Sequence, residues 1–162
     1  MPRDSRFGVF ELGMNHPGEI SPLSQMVRPH VAVITTVEPV HIEFFASVEG
    51  IADAKAEIFD GMLPGGAAVL PFDNPHFARL ERQARDANVG RIVSFGENAK
   101  ADARLVKFAL QADSSTAQAR ILGHDVTYKL GAPGRHVVQN SLAVLAAAML
   151  AVKPLTSATV EP

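Results

Sequence analysis

Residues 31–36 read Val-Ala-Val-Ile-Thr-Thr, and this run decides the fold. All but Ala32 are β-branched, and apolar and polar residues do not alternate. A strand with one wet face alternates, so this run reads as a parallel strand covered on both faces. Downstream, Val48 to Met62 reads as a helix, with Ile51, Ile58, Phe59 and Met62 on one face at 100° per residue. Pro64-Gly65-Gly66 breaks it, and Ala67 to Leu70 is a further strand. Asp73-Asn74-Pro75 supplies a capping residue and a proline at a helix start, with Phe77, Leu80 and Ala84 on one face. Arg91 to Phe95 is another strand. Upstream, Phe7 to Leu12 reads as a buried strand closed by Gly13, and Pro17 to Val27 as a helix. Strand and helix alternate, which implies a parallel sheet with right-handed crossovers.

After Phe95 the helical spacers disappear. Arg104 to Leu110, Thr116 to Leu122 and Val126 to Leu130 predict a small antiparallel meander, with Gly123-His124-Asp125 as its second loop. His136 to Val152 is an alanine-rich helix. The chain is therefore an α/β domain: a mainly parallel sheet flanked by helices, with a small antiparallel meander. The domain covers residues 1–152, and residues 153–162 form a loose tail rich in Pro, Thr and Ser.

Composition narrows the function. The chain has 162 residues, 47% hydrophobic and 20% charged, which is enough for one globular core. A net charge of −2 without a basic run argues against a nucleic-acid partner. There is no cysteine, so disulfides and thiolate metal sites are excluded. The first residues carry no signal-type apolar stretch, and no apolar run reaches the length of a membrane span. A cytoplasmic protein is expected.

Lys55 lies in the middle of the apolar stripe of its helix, while Asp53, Glu57 and Asp60 fall on the opposite, solvated face. A lysine there either snorkels to the rim or is paired or chemically altered. Desolvation lowers an amine's pKa, and the neutral amine can take up CO₂ to give an anionic carbamate. Glu11 sits at the C-terminal end of the first expected strand, where a carboxylate can hold a hard cation such as Mg²⁺ or simply edge the sheet. His41, in Glu38-Pro39-Val40-His41-Ile42-Glu43, follows the second expected strand and is either a metal ligand or polar surface. Asn140, in the first turns of the last helix after Gly134-Arg135-His136, offers the donor and acceptor that an adenine edge requires.

Four segments taken together resemble the Mur ligase family. They are Glu-Leu-Gly-Met-Asn-His at 11–16, the His41 loop, Ala-Lys-Ala-Glu-Ile-Phe at 54–59, and Pro-Gly-Arg-His…Asn-Ser-Leu-Ala at 133–143. The resemblance runs from about Phe7 to about Val152. It is strongest to the branch that joins D-alanyl-D-alanine to UDP-N-acetylmuramoyl-tripeptide in peptidoglycan synthesis, using ATP and Mg²⁺ through an acyl phosphate. By this resemblance Glu11 and His41 hold Mg²⁺, Lys55 is carbamylated and completes the metal set, and Asn140, with His136 beside it, contacts adenine. The family often has a second asparagine where this chain has Val137.

A family member also needs a GxxxxGK[ST] phosphate loop, and no such string occurs here. The resemblance therefore implies most of a central ATP-binding domain, cut at both ends and inactive alone, from a complete enzyme expected to be monomeric. The rival readings are a nucleotide-binding regulatory module and a metal-dependent hydrolase built on Glu11, His41 and Lys55.

Overall fold

A computed structural model describes residues 4–39 and 44–152. Its elements run α1 (Ile20–Val27), β1 (Val31–Val33), α2 (Val48–Ala56) continued by a 3-10 turn (Glu57–Gly61), β2 (Ala67–Pro71), α3 (Phe77–Asp86), β3 (Arg91–Gly96), β4 (Ala103–Leu110), β5 (Ser115–Ile121), β6 (His124–Leu130) and α4 (Arg135–Val152). One six-stranded sheet holds them in the order β1-β2-β3-β4-β5-β6. The pairs β1–β2, β2–β3 and β3–β4 are parallel, and β4–β5 and β5–β6 are antiparallel. The expected meander is thus the far half of the same sheet.

The β3–β4 pair explains how two parallel neighbours are joined by a short loop without a helix. Only Phe95↔Ala103 and Gly96↔Arg104 pair. The chain needs only to step sideways at the top of β3, whereas full overlap would demand a crossover of a dozen or more residues. The second meander turn is Leu122-Gly123, since Ile121 pairs with His124. Both central residues have positive φ (49° and 90°), the signature of a type I′ turn. The sequence-based loop Gly123-His124-Asp125 is one residue out of register.

β2 is buried at every position, as a strand covered on both faces must be. On one face α4 contributes Val138, Leu142, Ala143, Ala146 and Leu150 to a core with Val69, Val93, Phe95, Leu105 and Ile121. On the other, Ile51, Phe59, Leu80 and Ala84 pack on Ala32, Ile34, Ala68 and Leu70. Burying a side chain such as Leu142 contributes about 1.5–3 kcal/mol. By length and composition alone α4 matches a membrane-spanning helix, with 18 residues at mean hydropathy 1.3. Its sheet-facing side, with Val138, Leu142, Ala143, Ala146 and Leu150, is buried in the core, while Val144 and Val152 are exposed.

Three expectations need correction. Phe7 to Leu12 forms no strand: it has no ladder partner among the described residues, Val9 is 99% exposed, and Phe7, Phe10 and Glu11 are exposed. An apolar run becomes a strand only where an edge receives it, and Gly8 at its centre weakens it further. Glu11 therefore does not stand at a strand end. Asp53 and Glu57 are half-buried and bonded, not solvated. Of the Asp73-Asn74 pair, Asn74 supplies the expected acceptor at the start of α3, its Oδ1 accepting from the His76 N–H at 3.0 Å, while the Asp73 carboxylate accepts from the backbone of Glu97 and of Asn98 after β3. The 153–162 tail lies outside the described residues.

Candidate functional site

Lys55 is held by a helix clamped on two sides. Ser47 caps α2, its hydroxyl accepting from the Gly50 N–H at 3.3 Å. Arg79 on α3 makes a two-pronged pair with Asp53 at 2.7 and 3.0 Å, and Gln83 donates to the same carboxylate at 2.6 Å. That guanidinium and the Gln83 bond hold the Asp53 carboxyl below the usual carboxylate range against its partial burial. On the α1 side, Glu57 accepts from the backbone N–H groups of Gly18 (2.6 Å), Ile20 (3.1 Å) and Ser21 (3.2 Å). A carboxylate at a helix N-terminus satisfies its free donors and complements its dipole. Below it, the fully buried Ser24 hydroxyl donates to the Ile58 carbonyl and accepts from the Gly61 N–H.

Lys55 itself is half-buried on the stripe. Burial pushes its amine below the usual lysine range, and the Glu38 carboxylate pulls it partly back. Glu38 lies in the chain leaving β1, where its carboxylate accepts from the Thr36 hydroxyl at 3.3 Å. Asn74, just after β2, donates to the Val37 carbonyl at 3.0 Å and ties the ends of β1 and β2 together. The amine thus sits within the field of the chain leaving the C-terminal end of β1, the edge where an α/β sheet places its ligands.

Glu11 is exposed, but the residues after it are anchored. Met14 packs on the α2 side of the core. The Glu19 carboxylate accepts from the Asn15 and His16 backbones, and these bonds together with the His16 ring lower its pKa. The His16 ring lies 4.8 Å from the Phe44 ring. The stretch following Glu11 therefore meets the chain that follows residues 40–43. His41 lies outside the described residues. Among the described residues no three His, Asp or Glu side chains converge as a metal set.

A second cluster forms at the start of α4. Gly96 has φ +156°, and a Cβ there would meet the Asp73 carboxylate at 2.3 Å, so only glycine lets Asp73 wrap the turn after β3. That turn presents Glu97, whose Oε1 accepts from Arg135 Nη2 (2.6 Å), Arg135 Nε (3.0 Å) and Gln139 Nε2 (3.0 Å). Glu97 so fixes the first turns of α4 to the C-terminal end of β3. Beside them is an open cleft lined by Leu130, His136, Val137, Asn140, Ser141 and Val144. Tyr128 on β6 and Ser141 on α4 share a 2.7 Å bond, and the Ser141 hydroxyl donates to the Val138 carbonyl at 2.6 Å. Burial pushes the Tyr128 phenol up, and the Ser141 bond offsets part of that rise.

The structure brings Asn140 and His136 together in one cleft and sets Lys55 near Glu38. Sequence reasoning missed Glu38 as a partner of Lys55, Glu57 as a cap, and Glu97, Tyr128 and Ser141 as supports of the cleft. Only Glu38 carried a signal, since it stands in the same loop as His41.

Comparison with known proteins gives one consistent result. The family model described as the Mur ligase middle domain matches residues 1–148. A UDP-N-acetylmuramoyl-tripeptide–D-alanyl-D-alanine ligase of Rickettsia prowazekii is 33% identical over 145 residues, covering 90% of this chain and 32% of the relative. The crystal structure of MurF from Acinetobacter baumannii superposes with a TM-score of 0.80 at 34% identity, over 88% of this chain and 30% of that one. The MurF ligase of Thermotoga maritima in complex with ADP gives a TM-score of 0.69 at 26% identity, over 86% of this chain and 32% of that one. The chain spans about a third of the length of these relatives.

Proposed function

The chain belongs to the Mur ligase family, and from that premise we propose that it supplies the nucleotide-handling middle part of a ligase joining D-alanyl-D-alanine to UDP-N-acetylmuramoyl-tripeptide. The observation that carries this reading is the cleft at the start of α4. Leu130, Val137 and Val144 give apolar walls for a flat heterocycle, and the Asn140 amide offers both donor and acceptor at the rim. These residues fit an adenine. Val137 adds wall rather than a second amide, so the base rests on one amide edge and on apolar contact.

When bound, ATP supplies the phosphoryl group that activates the tripeptide carboxylate, and Mg²⁺ screens the phosphate charge. The chain's own contribution is positional. Asn140 and His136 orient the base. Lys55, with an amine shifted toward its neutral form by burial, is suited to take up CO₂ and so present two oxygens to a cation with Glu11 and His41. The Glu38 carboxylate opposes that shift and favours the protonated amine. Glu97 and Tyr128 hold α4 so that the cleft keeps its shape.

Titrating the chain with ADP and recording amide NMR spectra tests the nucleotide reading. Saturable shifts centred on Asn140 and Val144, absent in Asn140→Ala, support it. Because the sequence contains no phosphate loop, weak affinity is expected. Low-micromolar or tighter binding by the chain alone would favour the regulatory module.

A further inference from the structure

We propose that a notch in the sheet beneath β4 binds a compact phosphate-bearing anion. β4 joins β3 only at Phe95–Ala103 and Gly96–Arg104. The first half of β3, from Arg91, therefore has no strand on that side. The Ser94 N–H exposed there is satisfied by the Asp102 carboxylate at 2.8 Å, which also accepts from the Ser94 hydroxyl at 2.7 Å. The remaining space is a cleft lined by Arg91, Ala101, Asp102, Arg104, Arg120 and Gly123.

Arg91, Arg104 and Arg120, from three strands, line this cleft beside one carboxylate, and that carboxylate is engaged by Ser94. Arg120 approaches the exposed Asp125 no closer than 3.8 Å. Arg91 and Arg104 form no ion pair or side-chain hydrogen bond among the described residues. Arg104 and Arg120 stand directly opposite each other on β4 and β5. Like charges in that position repel and weaken the pairing, so the arrangement lowers stability until an anion is shared between them. Guanidinium forks match carboxylate and phosphate alike. Phosphate is favoured because it offers oxygens in several directions to donors arriving from three strands, while a carboxylate offers two in one plane. The notch shares no lining residue with the cleft at the start of α4, so this ligand is distinct from the base held beside Asn140.

The test is calorimetric titration and thermal melting of the whole chain with inorganic pyrophosphate, and with citrate at matched ionic strength. Pyrophosphate is expected to bind saturably and raise the melting midpoint more than citrate does. Arg91→Gln, and the pair Arg104→Gln with Arg120→Gln, should each weaken binding by about tenfold or more, as loss of a charge-assisted bond does. Arg85→Gln on α3 should bind as the parent does. Without anion, the double variant should melt no lower than the parent, because the opposed charges are gone. Absence of saturable binding, undiminished binding in both variants, or a lower anion-free midpoint in the double variant would overturn the proposal. A citrate effect equal to that of pyrophosphate would overturn the assignment to phosphate.

Discussion

Replacing Gly61 by alanine is expected to push α1 off the segment that carries Lys55. The added Cβ would stand 2.1 Å from the Ser24 carbonyl carbon, 2.2 Å from its oxygen and 2.4 Å from the Gln25 nitrogen. All three are backbone atoms, which cannot rotate away as a side chain does. Non-bonded carbons rest at about 3.5–4.0 Å, so the helix must retreat by more than about 1 Å. That movement breaks the Gly61 N–H bond to Ser24, 3.2 Å long at the outset, and stretches the Glu57 cap on α1. Overpacking costs about 1–3 kcal/mol, and one lost hydrogen bond adds about 1 kcal/mol. A total of about 2–4 kcal/mol lowers the melting midpoint by roughly 5–15 °C for a chain of this size. Circular dichroism melts of Gly61→Ala are the assay. Gly131→Ala, where a Cβ meets nothing within 4 Å, is the control and should stay within about 2 °C of the parent. A Gly61→Ala midpoint equally close to the parent would refute the contact between α1 and the 3-10 turn.

Three further outcomes are expected. The parent should melt above Asp53→Asn at neutral pH, because the Arg79 pair lowers the folded pKa of Asp53. That advantage is complete above about pH 5 and fades as pH falls below about 4, through the folded value; a pH-independent difference would contradict it. Lys55→Met should melt above the parent at pH 7, since burial disfavours the charged amine. The folded state binds the Lys55 proton less tightly than the unfolded chain, so the penalty is complete below the folded pKa. It is relieved as pH rises toward about 10, and melts at pH 7 and 9.5 read the difference. Tyr128→Phe should lower the midpoint by about 1 kcal/mol equivalent through loss of the bond to Ser141 and weaken ADP binding by distorting the cleft; unchanged ADP shifts would remove Tyr128 from that role.

Local pattern was enough for most of the architecture. The β-branched run at 31–36, the Pro64-Gly65-Gly66 breaker and the loss of helical spacing after Phe95 led directly to a parallel sheet with an antiparallel half. The stripe around Lys55 was legible because a helical period is local. Phe7 to Leu12 was misread because strand formation depends on a partner edge, which no local pattern encodes. Asp53 and Glu57 were misread because a charged residue opposite an apolar stripe looks the same whether it meets water, Arg79 or a helix N-terminus. The Asn140 cleft was half legible: the amide stood out, but Leu130 and Tyr128 reach it from β6, and Glu97 braces it from 38 residues before Arg135.

The proposed role of Lys55 is to serve the phosphate-side cation in a Mur ligase whose middle part this chain supplies. The most direct measurement is phosphate release by the full-length ligase carrying this segment, dependent on UDP-N-acetylmuramoyl-tripeptide and D-alanyl-D-alanine, with and without added bicarbonate. The parent is expected to turn over only with both substrates, and Lys55→Ala to lose nearly all turnover without recovery in bicarbonate. Near-normal turnover by Lys55→Ala would contradict that role and leave Lys55 as a lysine that merely reaches past the core to solvent.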